Sequence, residues 1–125
     1  MSTFNELYGG LLKKVFLEQA QTQLEQGGDA LTCADAYAEQ GKPDFALAYL
    51  LLLDAPDDVK RDILAHSYEQ RALLSDEKAE EFDRRFHRPF PLIKLEAQKD
   101  RAAARQVRYG QPIRREAKSL PLNGL

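Results

Sequence analysis

Through most of the chain, apolar side chains recur at intervals of three and four residues, the period of helices with one face to bury. No run of β-branched residues alternates with polar ones between hairpin turns, so no strand is predicted. Phe4, Leu7, Tyr8, Leu11, Leu12 and Val15, continued by Phe16, Ala20 and Leu24, predict a first helix ended by Gly27-Gly28. Thr3-Phe4-Asn5-Glu6 fits a capping box at its start. Gly9-Gly10 interrupts the pattern, at about 1 kcal/mol per glycine relative to alanine. The spacing favours one helix running through the pair; a start at Leu11 is the alternative.

The stretch from Asp29 to Asp58 organises the rest. Asp29 is a good N-cap for a helix over Ala30 to Gln40, Gly41 a good C′ residue, and Pro43 a good first residue for the next helix. That next helix is apolar all round from Phe45 to Leu53, which predicts cover on most sides. A fourth helix is predicted from about Pro56 to Leu74, with Val59, Ile63, Leu64, Tyr68 and Leu73 inward. Ser75 is read as the cap of a short fifth helix with Ala79, Phe82 and Phe86 on its buried edge. Two prolines in His87-Arg88-Pro89-Phe90-Pro91 stop it. A sixth helix from Pro91 to about Tyr109 opens with Leu92, Ile93 and Leu95, then turns rich in alanine and arginine, as though its second half leaves the core. The tail from Gln111 is either loose or docked through Ile113, Leu120 and Leu122.

The expected fold is all-α: a compact bundle of five or six helices around a central hairpin, with a projecting basic C-terminal helix and tail. Residues 1–110 form one domain and 111–125 a tail. Ala34, Tyr37, Gly41 and Ala46 fall at spacings that let two helices pack closely with an aromatic filling the gap beside them. In this the stretch resembles a single tetratricopeptide repeat. It departs from that pattern at Ala30, Leu50 and Pro56, and no second copy follows. The resemblance implies a helical scaffold that binds another protein.

The 125 residues suffice for one hydrophobic core without staples. A single cysteine, Cys33, excludes an internal disulfide and points to a reducing compartment. The start of the chain lacks the pattern of a secretory signal. The apolar run Phe45 to Leu53 is about half the length of a membrane span. A cytoplasmic location with no membrane partner is expected. The net charge of −2 hides a split, for residues 1–83 carry 7 Lys/Arg against 17 Asp/Glu while residues 84–125 carry 11 against 3. An acidic body with a basic C-terminal third points to an acidic or polyanionic partner, or to attraction between the halves themselves.

Side chains that carry chemistry are sparse. Asp62, His66 and Glu69 share a helical face and are ligand types for zinc or iron. A di-iron bundle needs a Glu-x-x-His pair on each of two helices, and ordinary surface residues explain the stripe better. His87 sits among Arg84, Arg85 and Arg88, as a helix-end cap or an anion-binding corner. Cys33 has acidic neighbours and lacks the electropositive site of a nucleophile. There is neither a Gly-x-Ser-x-Gly elbow nor a phosphate-cradling loop. No enzyme, cofactor or metal site is expected.

The remaining candidate is electrostatic. Lys94, Gln98, Arg101, Arg105 and Arg108 form a mainly basic stripe along the sixth helix, extended by Arg114, Arg115 and Lys118. The expected partner-binding residues are Lys94, Arg101, Arg105, Arg108, Arg114 and Arg115, and the expected partner is an acidic protein. Nucleic acid is the alternative, disfavoured by the acidic body and by a tail without interleaved aromatics beyond Tyr109. A homo-oligomer, basic tail on acidic body, is the third option.

Overall fold

The structure, a computed structural model, describes residues 2–114. Among these, six α-helices follow one another: α1 Phe4–Tyr8, α2 Lys14–Glu25, α3 Ala30–Glu39, α4 Pro43–Leu52, α5 Asp57–Phe86 and α6 Pro91–Arg108. No strand occurs among them, and no helix is long and apolar enough to cross a membrane.

The N-terminal segment is not one helix. Thr3 caps α1 as expected, its hydroxyl accepting from Glu6 N at 3.2 Å. A 3-10 turn over Gly9–Leu11 follows, and Leu12 and Lys13 are extended. The glycine pair lowers helical propensity where the core needs the chain to turn. α1 buries Phe4 and Tyr8 and touches α5, whereas α2 lies on α4 with Ala20 buried and Phe16 and Leu24 half-buried. The break also shifts the helical phase, so Val15, expected inward, is 50% exposed.

The central hairpin, α3 and α4, forms where the sequence places it. Asp29 accepts from the Thr32 hydroxyl at 2.7 Å and from the Thr32 backbone N–H at 2.9 Å, and these bonds, the hydroxyl's foremost, hold its carboxyl below its ordinary value. Gly41 turns the chain with φ +67°, and a Cβ there would lie 2.9 Å from the backbone nitrogen of Arg71. Only glycine combines that conformation with that approach. Ala34 and Ala38 of α3 and Ala46, Leu47, Ala48 and Leu50 of α4 are buried. Tyr37 stacks on Phe45 and Tyr49, at 5.0 and 5.9 Å, and Phe16 meets Phe45 edge-on at 5.3 Å. Cys33 is half-buried beside this stack.

The expected break at Ser75 is absent. α5 is one helix of 30 residues, about 45 Å long. Ser75 does not cap; it is buried in line with Arg71 and Ala79, four residues to either side. The segment contains no glycine or proline to end a helix, and packing against α6 on both sides of Ser75, through Arg71 and Asp76, overrides the weak cap signal. Of the residues expected inward, Ile63, Leu64 and Tyr68 are buried, but Val59 and Leu73 are 39% and 48% exposed.

α6 returns antiparallel along α5, and its C-terminal half does not leave the core. Ala103, Ala104 and Val107 belong to the main apolar cluster, as does Ile113 beyond the helix. That cluster reaches no further along α5 than Tyr68. Past it, α5 and α6 bury Ala72, Ala79, Ile93 and Ala97. What extends beyond the core is the turn end of the hairpin, not the C-terminal half of α6.

Candidate interaction surface

Three polar pairings set how α6 lies on α5. Arg71 and Asp100 form a two-bonded ion pair, Nε to Oδ2 and Nη2 to Oδ1, both 2.9 Å, with side chains 6% and 0% exposed. The Arg71 guanidinium also lies 5.2 Å from the Tyr68 ring centroid. Nearer the C-terminus of α6, Arg108 donates to both Glu69 carboxylate oxygens, at 2.6 and 2.8 Å, and reaches Asp62 at 3.5 Å. These bonds hold the Glu69 carboxyl below its ordinary value and push Arg108 up. Arg101 pairs with Asp76.

The expected basic stripe is therefore divided. Arg101 and Arg108 are held by the protein's own acids. Lys94, Arg105 and Arg114 are exposed, and Lys94 and Arg105 make no ion pair with a described residue. Arg115 and Lys118 lie outside the described residues, as do Leu120 and Leu122. The Asp62–His66–Glu69 face is divided too. Asp62 and Glu69 turn to Arg108, and His66 Nε2 lies 2.7 Å from Glu39 Oε1, joining α5 to α3. Among the described residues no three His, Cys, Asp or Glu side chains gather as metal ligands. His87 is exposed and ends α5 in the left-handed conformation, φ 55°, with its N–H on Asp83 O at 2.8 Å.

At the turn end of the hairpin, Ala79 is buried and Phe82 half-buried as the expected buried edge requires, but Phe86 is exposed. Phe82, Phe86 and Phe90 form a triangle of tilted rings with centroids 5.2 to 6.0 Å apart. A cation lies over each ring: Lys78 over Phe82 at 5.1 Å, Arg85 over Phe86 at 5.6 Å, Arg88 over Phe90 at 5.5 Å. Phe86 is 52% exposed, Leu92 65% and Leu95 43%. Arg88, Pro89, Phe90, Pro91, Leu92 and Ile93 line a concavity of about 240 Å³. From Arg84 to Leu95 the chain holds Arg84, Arg85, Arg88 and Lys94 and no carboxylate.

The four-residue spacing of Phe82, Phe86 and Phe90 is visible in the sequence. The exposure of Phe86 is not, because the sequence does not show that the core ends before it. The Arg71–Asp100 pair joins residues 29 positions apart and left no local signal.

No family model, curated protein or solved structure matches the chain. What the arrangement can do must be read from its own side chains: attract negative charge and cover apolar groups.

Proposed function

We propose that this chain is a non-enzymatic helical interaction protein, an adaptor, assembly factor or regulator, that takes an acidic protein partner on the cationic side of its α5–α6 hairpin. One observation carries this. Arg101 and Arg108 are held by internal carboxylates, while Arg84, Arg85, Arg88, Lys94 and Arg105 are exposed without an ion pair among the described residues. Exposed cations of one sign steer an oppositely charged partner and fix its register. The close-packed α3–α4 hairpin, with its tetratricopeptide-like spacing, supports a scaffold role. The single cysteine, Cys33, supports a reducing, cytoplasmic setting.

The test is capture from nuclease-treated native lysate by the tagged protein and by its Lys94→Glu/Arg105→Glu variant. The expected result is acidic proteins retained by the first, released by raised salt, and lost with the second. Capture that disappears with nuclease treatment identifies nucleic acid as the partner and overturns the proposal.

A further inference from the structure

The turn end of the hairpin has the parts of a peptide-binding subsite. Its concavity of about 240 Å³ falls below the roughly 300–1,000 Å³ of small-molecule sites and has room for one bulky side chain. Phe90, Pro91, Leu92 and Ile93 supply an apolar wall, and Arg88 borders it while lying over Phe90. A pocket for a single apolar anchor, ringed by polar contacts, is the arrangement in which few residues carry most of the binding energy. The surrounding charge is of one sign along the chain, with four cations and no carboxylate between Arg84 and Leu95.

We infer that this end binds a short acidic segment of another protein, one that places a single bulky apolar side chain against Phe90 and Leu92 and its carboxylates on Arg88 and Lys94. The inference rests on the proposed capture of acidic partners and assigns the partner's chemistry and its seat.

Two observations favour a linear segment over an anionic membrane. Glu80, Glu81 and Asp83 are exposed on the last turns of α5, beside the aromatic triangle. A flat anionic surface meeting the whole end would press against those carboxylates. A segment laid along Arg84–Leu95 avoids them. The feature at Phe90 is also a concavity, which suits one inserted side chain rather than a plane of headgroups.

The experiment is fluorescence anisotropy with a labelled pool of twelve-residue peptides, each carrying one Phe among Asp, Glu, Ser and Gly. A second pool replaces Phe by Ala, and a third replaces the acids by Lys. Vesicles of phosphatidylserine and phosphatidylcholine form a parallel arm, and sedimentation of the protein alone reports self-association. The variants are Leu92→Asp and Arg88→Glu, both at exposed positions, with folding checked by circular dichroism. The Phe pool is expected to bind saturably, and about tenfold more weakly when the anchor is Ala or when either variant is used, a difference of about 1.4 kcal/mol.

Equal binding of the Phe and Ala pools, or binding indifferent to both variants, overturns the subsite. So does vesicle binding stronger than peptide binding, or a dimer dispersed by Arg88→Glu. If acidic peptides bind without regard to the anchor but are lost with Lys94→Glu/Arg105→Glu, the subsite fails and the acidic-partner proposal stands. If no acidic peptide binds at low salt, both fail.

Discussion

Arg71 on α5 and Asp100 on α6 meet in the interior through two hydrogen bonds of 2.9 Å, and this pair fixes the sliding register of the hairpin that carries the candidate surface. Parallel bonds between a guanidinium and a carboxylate demand one geometry, so a shift of α6 by one turn would break both. Removing one partner by Arg71→Met or Asp100→Asn should destabilise the fold by about 3–5 kcal/mol. The double replacement Arg71→Met/Asp100→Leu should recover much of that loss, because no uncompensated charge remains. Urea denaturation of the three variants checks both statements.

Gly41 is a second fixed point. With φ +67° and a virtual Cβ 2.9 Å from Arg71 N and 3.0 Å from Arg71 Cα, it faces backbone that cannot swing away. Gly41→Ala should cost more than about 1 kcal/mol, seen as a lowered urea midpoint. Gly10→Ala is the control, since nothing lies within 4 Å of its Cβ.

Glu69 links pH to the α5–α6 contact. Its carboxyl is held below the ordinary value, chiefly by the hydrogen bond from Arg108. A depressed folded-state pKa gives stabilisation that is present above the unfolded value and lost as pH falls through the folded one. The stability gap between the natural protein and Arg108→Gln should therefore be open at neutral pH and close as the solution is acidified below the carboxylate range. Because the pair is partly exposed, the gap should also shrink with salt. Denaturation at several pH and salt values tests this, and an NMR titration should show the Glu69 midpoint rising in the variant.

Tyr8 ties the two ends of the described chain together. Its hydroxyl donates to Gln111 O at 2.7 Å, and burial pushes the phenol up against the opposing charge of Arg61. Tyr8→Phe should cost about 0.5–1.5 kcal/mol and speed amide exchange at Ile113 without disturbing α3 and α4. In the natural protein a raised folded-state pKa means that stability declines as pH climbs past the ordinary tyrosine range, where the unfolded chain ionises first.

The all-helical fold and the α3–α4 hairpin were legible because their signals are local: Asp29 at an N-cap, Gly41 at a C′ position, Pro43 at a first turn, and an apolar run in between. The rest depended on neighbours. Ser75 carries the residue type of a cap, yet α6 covers it and α5 runs on. Gly9-Gly10 offered a break or a continuation, and the opposite demands of Phe4 and Phe16 decided for the break. The basic stripe of α6 was legible as a stripe, but which of its cations are already held was not. That depends on Asp76 and Glu69, which come alongside only when the hairpin closes. Phe86, expected on a buried edge with Ala79 and Phe82, is 52% exposed because periodicity reports which face is apolar and not whether anything covers it.

The central claim is that acidic partners are taken at the cationic end and flank of the hairpin. The most direct measurement is the amide ¹H–¹⁵N spectrum of the whole protein titrated with the acidic Phe-bearing peptide pool. Shifts confined to residues 84–95 and the neighbourhood of Arg105, reversed by salt, are the predicted result. Shifts centred on α2 or α3, or no shifts at low ionic strength, would contradict it.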